Sequence, residues 1–130
     1  MSAAYVDSSF LVAILLGEPR SRSFQATLGR FGDLFAGDLL VAEVLATAAR
    51  ENLSLEQVTP ALESIGLVLP DRGLEPEMRE ILERGRLRGA DLWHLACALY
   101  VAGGERDALA FLSRDAPQRD LARRLGFSAP

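Results

Sequence analysis

Ala3-Ala4-Tyr5-Val6-Asp7-Ser8-Ser9, near the start of the chain, is the stretch on which the reading of the fold turns. Residues 3–6 are uncharged, with an aromatic and a β-branched member, and read as a short buried strand that ends at Asp7. Ser8 and Ser9 are good N-cap residues for the apolar helix 10–16, which Gly17 closes. In open α/β sheets ligands bind beyond the carboxyl ends of the strands. Asp7 therefore stands where a site is expected.

The same alternation continues outward. Pro19 opens a second helix to about residue 30, and 34–36 make a second strand. Gly37-Asp38 caps a third helix running to about Asn52. Ser54 opens a fourth, with Glu56 and Gln57 close behind in a near capping box. Residues 66–69 form a third strand bounded by Pro70. The segment 75–88 is amphipathic and strongly charged, a surface helix. A sixth helix spans 91–102 and stops at Gly103-Gly104. Residues 108–112 are a fourth strand, Asp115 leads a last helix to about Leu125, and Phe127 marks an edge strand. Short strands separated by helices specify the α/β class. The expectation is one three-layer α/β/α domain over residues 1–130, around a central, mainly parallel sheet of four to five short strands.

The chain has 130 residues, 49% of them hydrophobic, which suits one domain with a real core. The longest apolar run, 10–16, is too short to span a bilayer, and no basic segment precedes it. One cysteine, Cys97, excludes an intrachain disulfide and fits a reducing cytoplasm. One histidine and one cysteine leave no ligand set for zinc. The formal charge of −4 argues mildly against a nucleic-acid partner, unless bound divalent cations cancel part of it. All 14 basic residues are arginine. The absence of lysine argues against aspartyl-phosphate proteins, which also place an acid after the first strand, and excludes the P-loop motif.

Carboxylates that interrupt apolar sequence carry the functional signal. Asp7 is the only charged residue in 1–17, Glu43 the only one in 39–49, and Asp91 the only one in 89–104. An ionised carboxylate buried without a partner costs several kcal/mol, so each needs a reason. Asp7 is either an N-cap or a site residue, and Ser8 and Ser9 free it from capping. Glu43 sits on a helix apolar nearly all round, so it faces a solvated gap, pairs with Arg50 or another arginine, or serves a site. Asp91 is a cap or a site residue; Asp115 is a turn residue or a site residue. Taken together, the four suggest one site. Like charges within ~4–6 Å raise each other's pKa, and oxygen-loving cations relieve the repulsion.

These pieces resemble a PIN domain, particularly the VapC-like toxins of bacterial toxin–antitoxin pairs. The resemblance rests on Tyr5-Val6-Asp7-Ser8-Ser9, the isolated Glu43, Gly89-Ala90-Asp91-Leu92-Trp93-His94-Leu95-Ala96 and Phe111-Leu112-Ser113-Arg114-Asp115, in order over essentially the whole chain. It implies a PIN fold and a metal-dependent endoribonuclease that uses Mg²⁺ or Mn²⁺. It also implies structured RNA such as tRNA as substrate, a homodimer and a cognate antitoxin protein. Asp7, Glu43, Asp91 and Asp115 take the acidic metal-site roles, with Asp120 as the fallback for the last. Ser8 and Ser113 resemble hydroxyl positions beside the metals, and Arg114 an RNA contact. His94, Trp93 and Tyr100 read as core or dimer-facing. Arg84, Arg86, Arg88, Arg119, Arg123 and Arg124 either guide the strand or pair with Glu75, Glu77, Glu80, Glu83 and Asp120. Metal-activated water is expected to leave 5′-phosphate and 3′-hydroxyl ends. The rival reading is a catalytically degenerate PIN-like module that binds RNA or protein.

Overall fold

The computed structural model describes residues 2–130. In chain order the elements are β1 (Ala3–Val6), α1 (Ser8–Leu15), α2 (Ser21–Leu28), β2 (Asp33–Gly37), α3 (Leu39–Arg50) and α4 (Leu55–Glu63). There follow β3 (Gly66–Val68), α5 (Glu75–Leu82), α6 (Gly89–Ala102), β4 (Leu109–Leu112) and α7 (Ala116–Arg124). The strands form one parallel sheet in the order β3-β2-β1-β4. The chain moves outward from β1 to β3, then returns to place β4 on the other side of β1. The order reverses at β1, so the crevice beyond the carboxyl ends of β1 and β4 is the topological switch point.

Strand side chains alternate between faces, and each face has its own core. Ala4, Val6, Ala36, Ala110 and Leu112 pack with Phe10, Leu11, Leu40, Val44 and Val58 from α1, α3 and α4. Tyr5, Val68, Leu109 and Phe111 pack with Ile81, Leu95, Leu99 and Leu121 from α5, α6 and α7. The result is the expected α/β/α layering. No helix among the described residues is long and apolar enough to cross a membrane.

Several local expectations shift. The Phe127 strand shrinks to one parallel bridge, Ala110 to Ser128. The charged helix α5 ends at Leu82 instead of continuing to residue 88. Gly85 follows, and a Cβ there would lie 2.7 Å from Leu121 Cδ2, so the chain passes close against α7. Arg84, Arg86 and Arg88 therefore stand on a connecting segment. Helix α6 begins at Gly89, which puts Asp91 inside its first turn instead of before it. Tyr100 holds a turn: its hydroxyl donates to Asp71 at 2.9 Å, and Arg72 lies over its ring.

Gly37, at the end of β2, sets how closely α6 approaches the sheet. A Cβ at this position would meet Trp93 Cζ3 at 2.2 Å and Cys97 Sγ at 3.1 Å. Only a residue without a side chain lets the indole lie on the strand end. Gly37→Ala should therefore destabilise the protein by about 1–3 kcal/mol through overpacking. Urea unfolding should recover part of that loss in Gly37→Ala combined with Trp93→Leu, and purely additive effects of the two would contradict the clash.

Candidate metal centre

Strand β1 delivers Asp7 to the switch point. Its backbone N–H donates to Leu112 O at 2.9 Å, the last rung between β1 and β4. The side chain is 2% exposed, and both its oxygens are engaged. Oδ2 accepts from Ser9 N at 3.1 Å and Ser9 Oγ at 2.6 Å, and Oδ1 accepts from Gln118 Nε2 at 3.3 Å. Asp7 is thus the N-cap of α1. The expectation that Ser8 and Ser9 would free it from capping is corrected. Ser9, one step further round the first turn than Ser8, is the serine whose hydroxyl reaches the carboxylate.

Gln118 organises the rest. It is fully buried on α7. Its amide NH₂ also donates to Asp91 O at 3.2 Å, and its Oε1 accepts from Ser113 Oγ at 2.6 Å. Its backbone N–H donates to Asp115 Oδ2 at 2.9 Å, which makes Asp115 the cap of α7. Ser113 Oγ accepts from Asp115 N at 3.0 Å and lies 3.4 Å from Ser9 Oγ. One buried amide therefore ties together the chain around Asp7, Asp91 and Asp115. The sequence signal for Gln118 was the spacing Asp115-Ala116-Pro117-Gln118, a capping-box pattern. In a capping box the Gln side chain reaches back to the cap; here it turns inward instead.

Glu43 enters from α3, and Arg50 is not its partner: Arg50 approaches Glu51 on the surface. Glu43 Oε1 lies 2.6 Å from His94 Nε2, one turn along α6 from Asp91. That pairing escaped the sequence reading of His94 as merely core or dimer-facing. Asp120 stands outside the group, exposed and bonded to Arg123. The Arg114 side chain pairs with Glu18 and lies over the Phe24 ring, while its backbone N–H donates to Ser9 Oγ at 3.1 Å.

The electrostatics follow from this gathering. Desolvation, then the charges of Asp7 and Asp115, raise the Asp91 carboxyl above the ordinary range, and Glu43 adds to the effect. Among the described residues no three His, Cys, Asp or Glu side chains close into a chelating cage. The donors that are present are all hard oxygens. Mg²⁺ binds through one or two carboxylates and completes its octahedron with water and phosphate oxygens, so the set fits such an ion without a cage.

Among known families, the PIN domain model matches residues 4–124. No curated protein matches the chain.

The raised Asp91 carboxyl has a consequence for stability. The native state holds this proton more tightly than the unfolded chain, so the associated stability is full below the unfolded value. It is lost as pH rises through the folded value. Without metal, Asp91→Asn should therefore melt higher than the parent protein at pH 7, with the gain shrinking towards pH 3. A melting temperature lowered at pH 7 would contradict the crowding of negative charge.

Proposed function

Because the chain belongs to the PIN-domain family, a nuclease fold that is generally metal-dependent, we propose that it is a Mg²⁺- or Mn²⁺-dependent endoribonuclease and the toxin of a toxin–antitoxin pair. The observation that carries the reading is the gathering of Asp7, Asp91 and Asp115 at the switch point, where Gln118 bonds the carboxylates of Asp7 and Asp115 and the main chain of Asp91. Asp7, Asp91 and Asp115, with Glu43 beside them, would hold the ion. When bound, the cation supplies Lewis-acid activation of water and charge stabilisation of the departing 3′ oxygen. The chain's own part is orientation. Ser9 and Gln118 hold Asp7, and the Gln118 backbone amide holds Asp115.

Arginines favour a polyanionic substrate. Asp91 and Asp115 share a recess with Arg86 and Arg88, which make no ion pair among the described residues. Ser113 lines a second recess with Arg20, where Arg114 is paired with Glu18, Arg119 donates to Ser113 O and Arg123 is paired with Asp120. Guanidinium groups suit phosphate oxygens. Arg84 and Arg124 drop out as strand guides, because each donates to the other's backbone carbonyl. Toxin identity, a cognate antitoxin and a homodimer are supported by the likeness of the four sequence pieces to VapC-like toxins. The apolar recess of Leu39, Ala42 and Trp93 and the exposed side chains of Leu67 and Leu69 offer area for a partner. Phe24 offers less, being packed on Phe10 at 4.8 Å between ring centres.

A non-catalytic binding module is favoured by one observation: Asp7 and Asp115 already have structural work as helix caps. Activity separates the two. The protein should cut structured RNA with Mn²⁺ or Mg²⁺, stop on addition of chelator, and leave 5′-phosphate ends. Asp91→Asn should be slower by about 100-fold or more, as expected when several kcal/mol of charge stabilisation is removed. Equal cutting by that variant would trace the activity to a contaminant and remove the nuclease reading. Arg86→Ala combined with Arg88→Ala should weaken RNA binding in Ca²⁺ and flatten its salt dependence, by about one unit of log–log slope for each phosphate no longer neutralised. An unchanged slope would take the RNA path away from this recess.

A further inference from the structure

His94 is the chain's one histidine and is fully buried. Each of its ring nitrogens has a partner. Nδ1 lies 2.8 Å from Tyr5 Oη, and Nε2 lies 2.6 Å from Glu43 Oε1. Tyr5 Oη in turn accepts from the Gly37 backbone N–H at 2.8 Å. The chain of bonds runs from β2 through β1 and α6 to α3. It links a helix packed on one face of the sheet to a helix packed on the other.

The two ends of this chain of bonds are fixed: the Gly37 N–H can only donate and the Glu43 carboxylate can only accept. An N–H can only donate, so Tyr5 Oη accepts there and its single hydrogen is free for His94 Nδ1. With Nδ1 accepting, the ring hydrogen of the neutral imidazole sits on Nε2 and points at a carboxylate, which can only accept. The opposite neutral tautomer would set a nitrogen lone pair against the Glu43 oxygen at the same 2.6 Å. The neighbouring Cys97 thiol is raised to about 12 by burial and adds no charge to the chain of bonds.

A core histidine with only a packing role has no use for this arrangement, since an apolar residue at position 43 would close α3 against α6 without bringing a carboxylate to the edge of the core. Glu43 keeps its side chain 32% exposed while one oxygen is held from inside. The second oxygen is the one left for an outside ligand. We propose that His94 is a positioning residue for Glu43, its Nε2–H pinning one carboxylate oxygen so that the other meets a divalent cation, with Tyr5 and the Gly37 amide fixing the ring. The proposal rests on the metal-dependent reading of the site. Groups that orient metal ligands in this way change metal affinity by about 10–100-fold when removed.

The test is Mn²⁺ binding to the full chain without RNA, followed by electron paramagnetic resonance, together with ¹⁵N spectra of the imidazole. His94→Phe and Tyr5→Phe should weaken Mn²⁺ binding by about 10-fold or more, approaching Glu43→Gln. His94→Gln, which restores a donor near the Nε2 position, should recover most of the affinity. The spectra should show the hydrogen on Nε2 in the parent protein. Tyr5→Phe keeps the ring volume and serves if His94→Phe does not fold. Parent-level affinity in both Phe variants, alongside a loss in Glu43→Gln, would overturn the positioning role and leave the metal site standing. A hydrogen found on Nδ1 alone would overturn it too. A parent protein that binds no Mn²⁺ at millimolar concentration would sink the metal reading and this proposal together.

Discussion

Asp7, Asp91 and Asp115 stand close enough that the charges of two of them raise the proton affinity of the third. Such a group needs a frame that holds the chain around the acids in place. Gln118 and Ser9 supply it. The fully buried Gln118 donates to one acid and to the backbone of a second, while its own N–H caps the third. A buried amide with its NH₂ and its oxygen both engaged rigidifies its surroundings, and one left unsatisfied would cost ~1–3 kcal/mol. The position of α7 against β1 and β4 is therefore tied to the geometry of the acids.

The sheet supplies the frame for that geometry. Two independent cores lie on its faces, and parallel strands bring their carboxyl ends to one side. The helices of the two layers meet there through Gly37, where the absent side chain admits Trp93, and through Tyr5 and His94, which reach across to Glu43. Close approach at Gly37 also places its N–H on the Tyr5 hydroxyl. A packing feature and an electrostatic one thus share a single glycine.

Capping and metal holding are often treated as alternatives for an acid that starts a helix. On the proposed reading both demands fall on the same residues. Asp7 caps α1 and Asp115 caps α7, each through Oδ2, and Asp7 Oδ1 meets only a long contact from Gln118. A helix N-terminus carries partial positive charge. Two of the acids stand at such termini, and each cap uses one carboxylate oxygen without consuming every lone pair. The caps in turn fix where each carboxylate sits.

Much of this was legible in the residues alone. Apolar runs of strand length ending at Asp7 and near Asp115, and acids set in apolar helices at Glu43 and Asp91, were enough for the α/β class and for the candidate acids. These are local signals, since periodicity and isolated charge are properties of neighbouring residues. The partners were not legible. Gln118 lies 111 positions from Asp7, Glu43 lies 51 from His94, and Tyr5 lies 89 from His94. No local pattern distinguishes Ser9 from Ser8 as the hydroxyl that meets Asp7, or stops α5 at Leu82, because both depend on which face a neighbouring element covers. Which side chains are costly to bury can be read from the residues alone; what compensates each of them follows from the folded arrangement, because hydrogen bonds of a few ångströms are set by packing between elements far apart in the chain.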